Sequence, residues 1–243
     1  MDGIIIYQQQ GMKMKLLKTT AVAGLLVASS AASAIEISGN VALTTDYIFR
    51  GMSQTDGSPA IQGGFDADLG NGVYAGAWGS NVDFGDSTNA SMELDLYAGW
   101  ATEVNGVGVD LGVIHYGYPT GETGSNYDEV YVGLSFGPAK LTQYFGVDLG
   151  SEDLGDTNYG NYSDLGLDLG EYNGVAFAAH VGYYDWKEGK DDYWDWKLAA
   201  STSMFGVDWE AAYTDVDTNS NAAGSARGAA DDAAFVLTVS KSL

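Results

Sequence analysis

The chain of 243 residues contains no cysteine, three prolines and two histidines. Without thiols, disulfides and thiolate metal sites are excluded, and stability has to come from burial and hydrogen bonds. Basic residues are scarce too: 10 Lys and Arg stand against 33 Asp and Glu, a formal net charge of −23. Phosphate recognition needs a basic face, so nucleic acid is excluded as a partner. Segments this acidic are commonly disordered, but hydrophobic residues at 45% and aromatics at 12% are too abundant for that here. Also missing, after residue 34, is any apolar run of the roughly 18 residues that a transmembrane helix requires.

What is present begins at the N-terminus. Lys13, Lys15 and Lys18 precede an apolar stretch from Ala21 to Ala28, and small residues follow up to Ala32-Ser33-Ala34. This order is the secretory signal-peptide pattern, with an apolar part too short to span a membrane. Cleavage is expected after Ala34, leaving 35–243 as one domain. Met12 or Met14 makes a more natural start for that pattern than Met1. A membrane protein without apolar helices has to be a closed barrel, because only helices and closed barrels satisfy every backbone group in lipid.

The residues after 34 support strands. Gly is frequent, at 34 residues, and Val, Tyr and Trp recur with period two, the signature of a strand with two unlike faces. Ile35, Ile37, Val41, Leu43, Tyr47 and Phe49 share one parity, while Glu36, Ser38, Asn40, Thr44, Asp46 and Arg50 share the other. Met92, Leu94, Leu96 and Trp100 likewise oppose Glu93, Asp95, Gly99 and Glu103. Strands are predicted at 35–50, 59–69, 73–84, 90–104, 107–117, 127–137, 139–149, 162–171, 174–186, 192–204, 207–216 and 233–243. Most are near the ten residues with which a tilted strand crosses the hydrocarbon layer. Short turns are expected at Gly70-Asn71-Gly72, Asn105-Gly106, Gly137-Pro138, Tyr172-Asn173 and Phe205-Gly206. They alternate with long connections, near 51–58, 85–89, 118–126, 150–161, 187–191 and 217–232.

Alternation by itself fits two inverted barrels, since a soluble one turns its apolar parity inward and a membrane one turns it to lipid. The signal peptide, the even strand count, the unequal loops and strand-end aromatics (Tyr47, Phe49, Phe84, Trp100, Trp194, Trp196, Tyr213) point to the membrane form. The expectation is all-β: a single antiparallel transmembrane β-barrel of about 12 strands in the bacterial outer membrane, both termini periplasmic.

The residues also carry a family resemblance. Thr45-Asp46-Tyr47-Ile48-Phe49-Arg50-Gly51-Met52-Ser53-Gln54-Thr55-Asp56-Gly57, continuing through Pro59 and Gln62-Gly63-Gly64-Phe65-Asp66, resembles the opening of the TorF family of porin-like proteins. Trp78-Gly79-Ser80-Asn81-Val82-Asp83-Phe84, Glu93-Leu94-Asp95-Leu96-Tyr97-Ala98-Gly99 and Tyr116-Gly117-Tyr118-Pro119 extend it. The resemblance implies an outer-membrane barrel and carries over no catalytic or ligand residue.

Candidate pore-lining residues follow from the polar parity. They are Arg50, Asp46, Glu93, Asp95, Asp110, Glu129, Asp148, Asp168, Asp195 and Asp208, with Glu36, Asp66, Asp68, Glu103, Asp164 and Glu210 of the same parity. Lys140 and Lys197 are the other bases there. Arg50 stands out as a base among acids. It either sets a constriction or holds loop 51–58 through an ion pair, and the ion pair is the reading favoured. Tyr116 and Tyr118 line a solute path or belong to an interfacial girdle. His115 and His180 lie on separate strands with no nucleophile marked near either, so no enzyme is expected. Asp215-Val216-Asp217-Thr218-Asn219 opens like a calcium loop, but Ser220 stands where the turn glycine belongs and Ala226 where the bidentate Glu should be. Glu152, Asp153 and Asp156 form an acidic loop without a ligand pattern. No metal and no cofactor are expected. Partners are outer-membrane lipid, lipopolysaccharide and small solutes. The function expected is a passive porin-like channel for small cationic or neutral solutes. The alternative is a structural or adhesive barrel with a plugged lumen, since a 12-stranded barrel falls between filled and open ones.

Overall fold

The computed structural model describes residues 35–85, 89–121, 126–147, 149, 160–186, 191–217 and 233–243. Its strands are β1 (Glu36–Thr44), β2 (Ile48–Phe49), β3 (Met52–Ser53), β4 (Ala60–Gly70), β5 (Val73–Asn81), β6 (Met92–Val104) and β7 (Val107–Gly117). They continue with β8 (Tyr127–Phe136), β9 (Ala139–Val147), β10 (Asn161–Tyr172), β11 (Val175–Asp185), β12 (Tyr193–Met204), β13 (Val207–Asp217) and β14 (Ala234–Ser242). All but β2 and β3 form a closed antiparallel 12-strand barrel in sequence order. It closes where β1 pairs with β14, from Asn40↔Ser242 to Thr44↔Thr238.

Local chemistry accounts for the wall. Val104 pairs with Val107, and the two residues between them, Asn105 and Gly106, hold φ of 53° and 82°. Both positive angles belong to a turn whose twist matches that of the flanking strands, and Asn-Gly adopts it at least cost. The turn expected at Tyr172-Asn173 is one residue later. Tyr172 still pairs with Val175, and Asn173-Gly174 makes the turn. Both ends of the barrel chain, the start of β1 and the end of β14, therefore lie at the end of the barrel that carries the two-residue turns.

The faces settle the sign of the alternation. Leu96 is 53% exposed on the outer surface, while its neighbour Asp95 is 1% exposed inside. Ile37, Ile61, Phe65, Leu134, Leu141 and Leu198 are also exposed. A soluble barrel would have buried them. Glycine on the inner parity has a steric cause: a Cβ at Gly76 would lie 2.4 Å from the Tyr97 ring across the ladder, and one at Gly112 would lie 2.3 Å from that of Tyr131. The tyrosine rings occupy the space those side chains would need.

The first strand departs from expectation. It ends at Thr44 and does not run on to residue 50. Thr45 N–H makes a last bond to the Leu237 carbonyl, 3.0 Å, and the chain then leaves the wall. Tyr47 and Phe49, placed by parity on the lipid side, are inside the barrel instead. Phe84 is corrected too: β5 stops at Asn81, and Phe84 packs edge-on against Tyr118 with ring centres 5.5 Å apart.

Candidate functional site

The segment that leaves the wall is a small hairpin inserted into the lumen. β2 and β3 pair as Ile48↔Ser53 and Phe49↔Met52, with Arg50 and Gly51 at the tip, φ 50° and 79°. Its root is tied by the Asp46 carboxylate, which accepts from Ser53 Oγ at 2.6 Å and Thr55 Oγ1 at 2.9 Å. Gln54 N–H donates to the Tyr47 carbonyl at 2.6 Å, and Asp83 N–H to that of Gln54 at 2.8 Å. Asp46, expected on a spanning strand, is thus the anchor of the hairpin.

The tip crosses to the far wall. Arg50 makes a two-pronged ion pair with Glu129 on β8, Nη1 to Oε1 at 2.8 Å and Nη2 to Oε2 at 2.7 Å. Its guanidinium carbon lies 4.3 Å from the ring centre of Tyr162, 5.0 Å from Tyr144 and 5.3 Å from Tyr184, on β10, β9 and β11. Phe49 packs 6.0 Å from Tyr116 on β7. Gly51 has to be glycine: a Cβ there would stand 2.6 Å from Asp195 Cβ and 3.1 Å from Val216 Cβ, on β12 and β13. The hairpin rises from β1 and touches strands from β7 to β13, so it bridges the lumen.

The electrostatics hold it there. Arg50 and Glu129 are 2% and 0% exposed. Burial opposes the Arg50 charge, but the adjoining Glu129 carboxylate more than offsets it and raises the guanidinium above its ordinary pKa. Tyr116 hydroxyl adds a 3.0 Å bond to Glu129. Aromatic faces contribute about 0.5–2 kcal/mol each to a desolvated cation. Removing one partner of such a buried pair costs about 3–5 kcal/mol, because the other charge is left uncompensated.

The remaining inner acids fall into groups. His180 stands between Asp164 (Nδ1, 2.7 Å) and Asp195 (Nε2, 2.7 Å), and the Tyr162 hydroxyl donates to Asp195 at 3.0 Å. Asp110 accepts from Tyr74 at 2.6 Å, with Lys140 Nζ 3.9 Å away. Asp168 accepts the Gly170 N–H at 2.8 Å beside a bulge, and Asp208 accepts from Ser203. Glu93 accepts from Tyr47 hydroxyl at 3.3 Å, while Asp95, on the same strand, lies against the Glu93 carboxyl and meets no other donor among the described residues. His115 lies on the outer parity, its Nδ1 2.8 Å from Asp128 Oδ1. Asp148, Glu152, Asp153 and Asp156 lie outside the described residues, as does the end of the calcium-like segment.

Sequence reasoning missed the inner aromatics: Tyr74, Trp78, Tyr97, Tyr131, Tyr144, Tyr162 and Tyr184. The signal was present, because each has the parity of its strand's polar residues, as Tyr144 shares that of Lys140 and Thr142. The inserted hairpin was also missed. Its signal was Arg50-Gly51 between two short β-forming pairs.

Residues 28–243 match the model of a bacterial protein family of unknown function, Gcw_chp. No curated protein matches the chain. Among solved structures, the KdgM porin superposes with a TM-score of 0.53 at 8% identity, over 85% of this chain and 99% of that one. The KdgM porin in complex with disordered oligogalacturonate gives 0.52 at 8%, over 85% and 98%. The NanC porin gives 0.50 at 10%, over 84% and 98%. At these identities the likeness is one of fold.

Proposed function

The chain belongs to Gcw_chp, a bacterial family of unknown function, and we propose that it is a porin-like passive channel of the outer membrane for small cationic or neutral solutes. The observation that carries this is the closed barrel with apolar side chains outside and carboxylates inside, a form it shares with porins. On this reading residues 1–34 are the export signal and the two-residue turns face the periplasm. The outer apolar band meets lipid and, in the outer leaflet, lipopolysaccharide. Glu93, Asp95, Asp110, Glu129, Asp168, Asp195 and Asp208 line the solute path and concentrate cations. The TorF resemblance of residues 45–66 supports the same reading. On this reading the histidines, held by aspartates, belong to the barrel wall.

A second reading, a structural or adhesive barrel, is favoured by the hairpin across the lumen. The two are separated by recording purified protein in a planar bilayer under a KCl gradient at low salt. The channel reading expects a conductance whose reversal potential is cation-selective. An anion-selective potential overturns the solute preference, and silence of both the native protein and a hairpin-shortened variant supports the plugged barrel.

A further inference from the structure

The inner acids are not evenly compensated. Glu129 has Arg50, while Asp164 and Asp195 share His180. Among the described residues, no basic side chain pairs with Glu93 or Asp95, although they are 2% and 1% exposed. Apart from their contact with each other, no donor among the described residues reaches either oxygen of Asp95 or Oε2 of Glu93. Buried carboxylates in this condition take up either a proton or a counter-ion, because an unpaired charge is costly away from water.

The surroundings indicate which kind of counter-ion. Across the ladder, Asp95 has Trp78 on β5 and Tyr116 on β7, so a carboxylate stands between two aromatic side chains of the same inner parity. Tyr47 closes a third side: its ring centre is 5.4 Å from that of Trp78 and its hydroxyl is bonded to Glu93. Trp78 is 3% exposed, and its indole N–H finds no acceptor among the described residues, a second polar group left open beside Asp95. A calcium ion would require six to eight oxygens, and no group of three or more His, Cys, Asp or Glu fit for a metal exists among the described residues. Aromatic faces instead attract organic cations, ammonium and guanidinium groups alike. Across the same lumen Arg50 provides an example of the chemistry, a guanidinium held by one carboxylate and a set of rings.

We infer that Glu93 and Asp95, walled by Tyr47, Trp78 and Tyr116, form a binding site for an organic cation, an alkylammonium or guanidinium group with a hydrogen-bond acceptor for the Trp78 N–H. The site rests on the channel reading above and names the solute class that the channel selects. The Glu93 and Asp95 carboxyl groups lie within hydrogen-bond reach of each other, so one ammonium group of a short diamine can meet both.

The test is calorimetric titration of the detergent-solubilised barrel with diaminobutane at low salt, with butanediol as the uncharged analogue. Diaminobutane binds saturably and butanediol does not. Asp95→Asn and Glu93→Gln each weaken binding about tenfold or more, the loss expected when a charged hydrogen-bond partner is removed. Glu36→Gln, at the far end of the barrel, leaves binding unchanged. Absence of binding to the native protein, equal binding to Asp95→Asn, or an equal loss with Glu36→Gln overturns the site, leaving a shared proton or diffuse charge in its place. Heat-modified gel mobility of each variant shows that the barrel has folded. Conductance on the same samples separates the two claims. Amine binding without conductance removes the channel and keeps the site, and conductance without amine binding does the reverse.

Discussion

At the scale of single residues, the neighbours Asp95 and Leu96 carry opposite roles. Leu96 is exposed on the outer face near the middle of β6, so Leu96→Arg places a charge against lipid. Its expected cost is about 2–4 kcal/mol at the bilayer midplane, measured by urea unfolding from lipid vesicles. Asp95→Asn leaves stability level or improved in the same assay, since it removes a buried carboxyl beside Glu93 that has no other donor among the described residues. Equal loss at both positions contradicts the assigned faces. The alternation itself was legible from residue 92 to residue 100. The direction each parity faces was not, because period two is identical in a soluble barrel and a membrane barrel.

The hairpin of β2 and β3 is the element on which function turns. Arg50→Met leaves Glu129 buried and unpaired, and about 3–5 kcal/mol of stability is lost by denaturant titration. Adding Glu129→Gln recovers part of that loss, because the stranded charge is gone, and the double-mutant cycle gives a coupling well above the scatter of independent sites. Additive losses contradict a direct pair. Deleting residues 48–53 removes the bridge across the lumen and raises single-channel conductance severalfold over the native barrel. The wall strands were legible to within a few residues at most ends, and 107–117 at both. Their period and the positive-φ turn residues between them are local properties. The hairpin was not legible: Leu43, Tyr47 and Phe49 keep one parity straight through the bend at Thr45 and Asp46, and parity does not register a change of direction.

For the whole molecule, the predictions concern topology and charge. Cysteine introduced at Gly121, in a long connection, labels from outside intact cells, and cysteine at Asn105, in a two-residue turn, does not. Labelling at Asn105 from outside reverses the orientation. Cation preference fades as salt rises toward 1 M, where the screening length falls to about 3 Å. A preference that persists undiminished there places selectivity in close contacts such as the Asp95 site and not in the summed field.

Sequence alone was enough to establish a strand-built barrel, its strand count and most of its turns. All of these follow from interactions between residues near one another in the chain. Only the tertiary structure decided that apolar side chains face outward, that residues 46–55 fold inward, and that Arg50 meets Glu129, 79 positions away. The reason is closure. When the last strand pairs with the first, β8 and β9 come to lie opposite β1, and the partners of an inserted side chain are set by position around the ring, which no local pattern records.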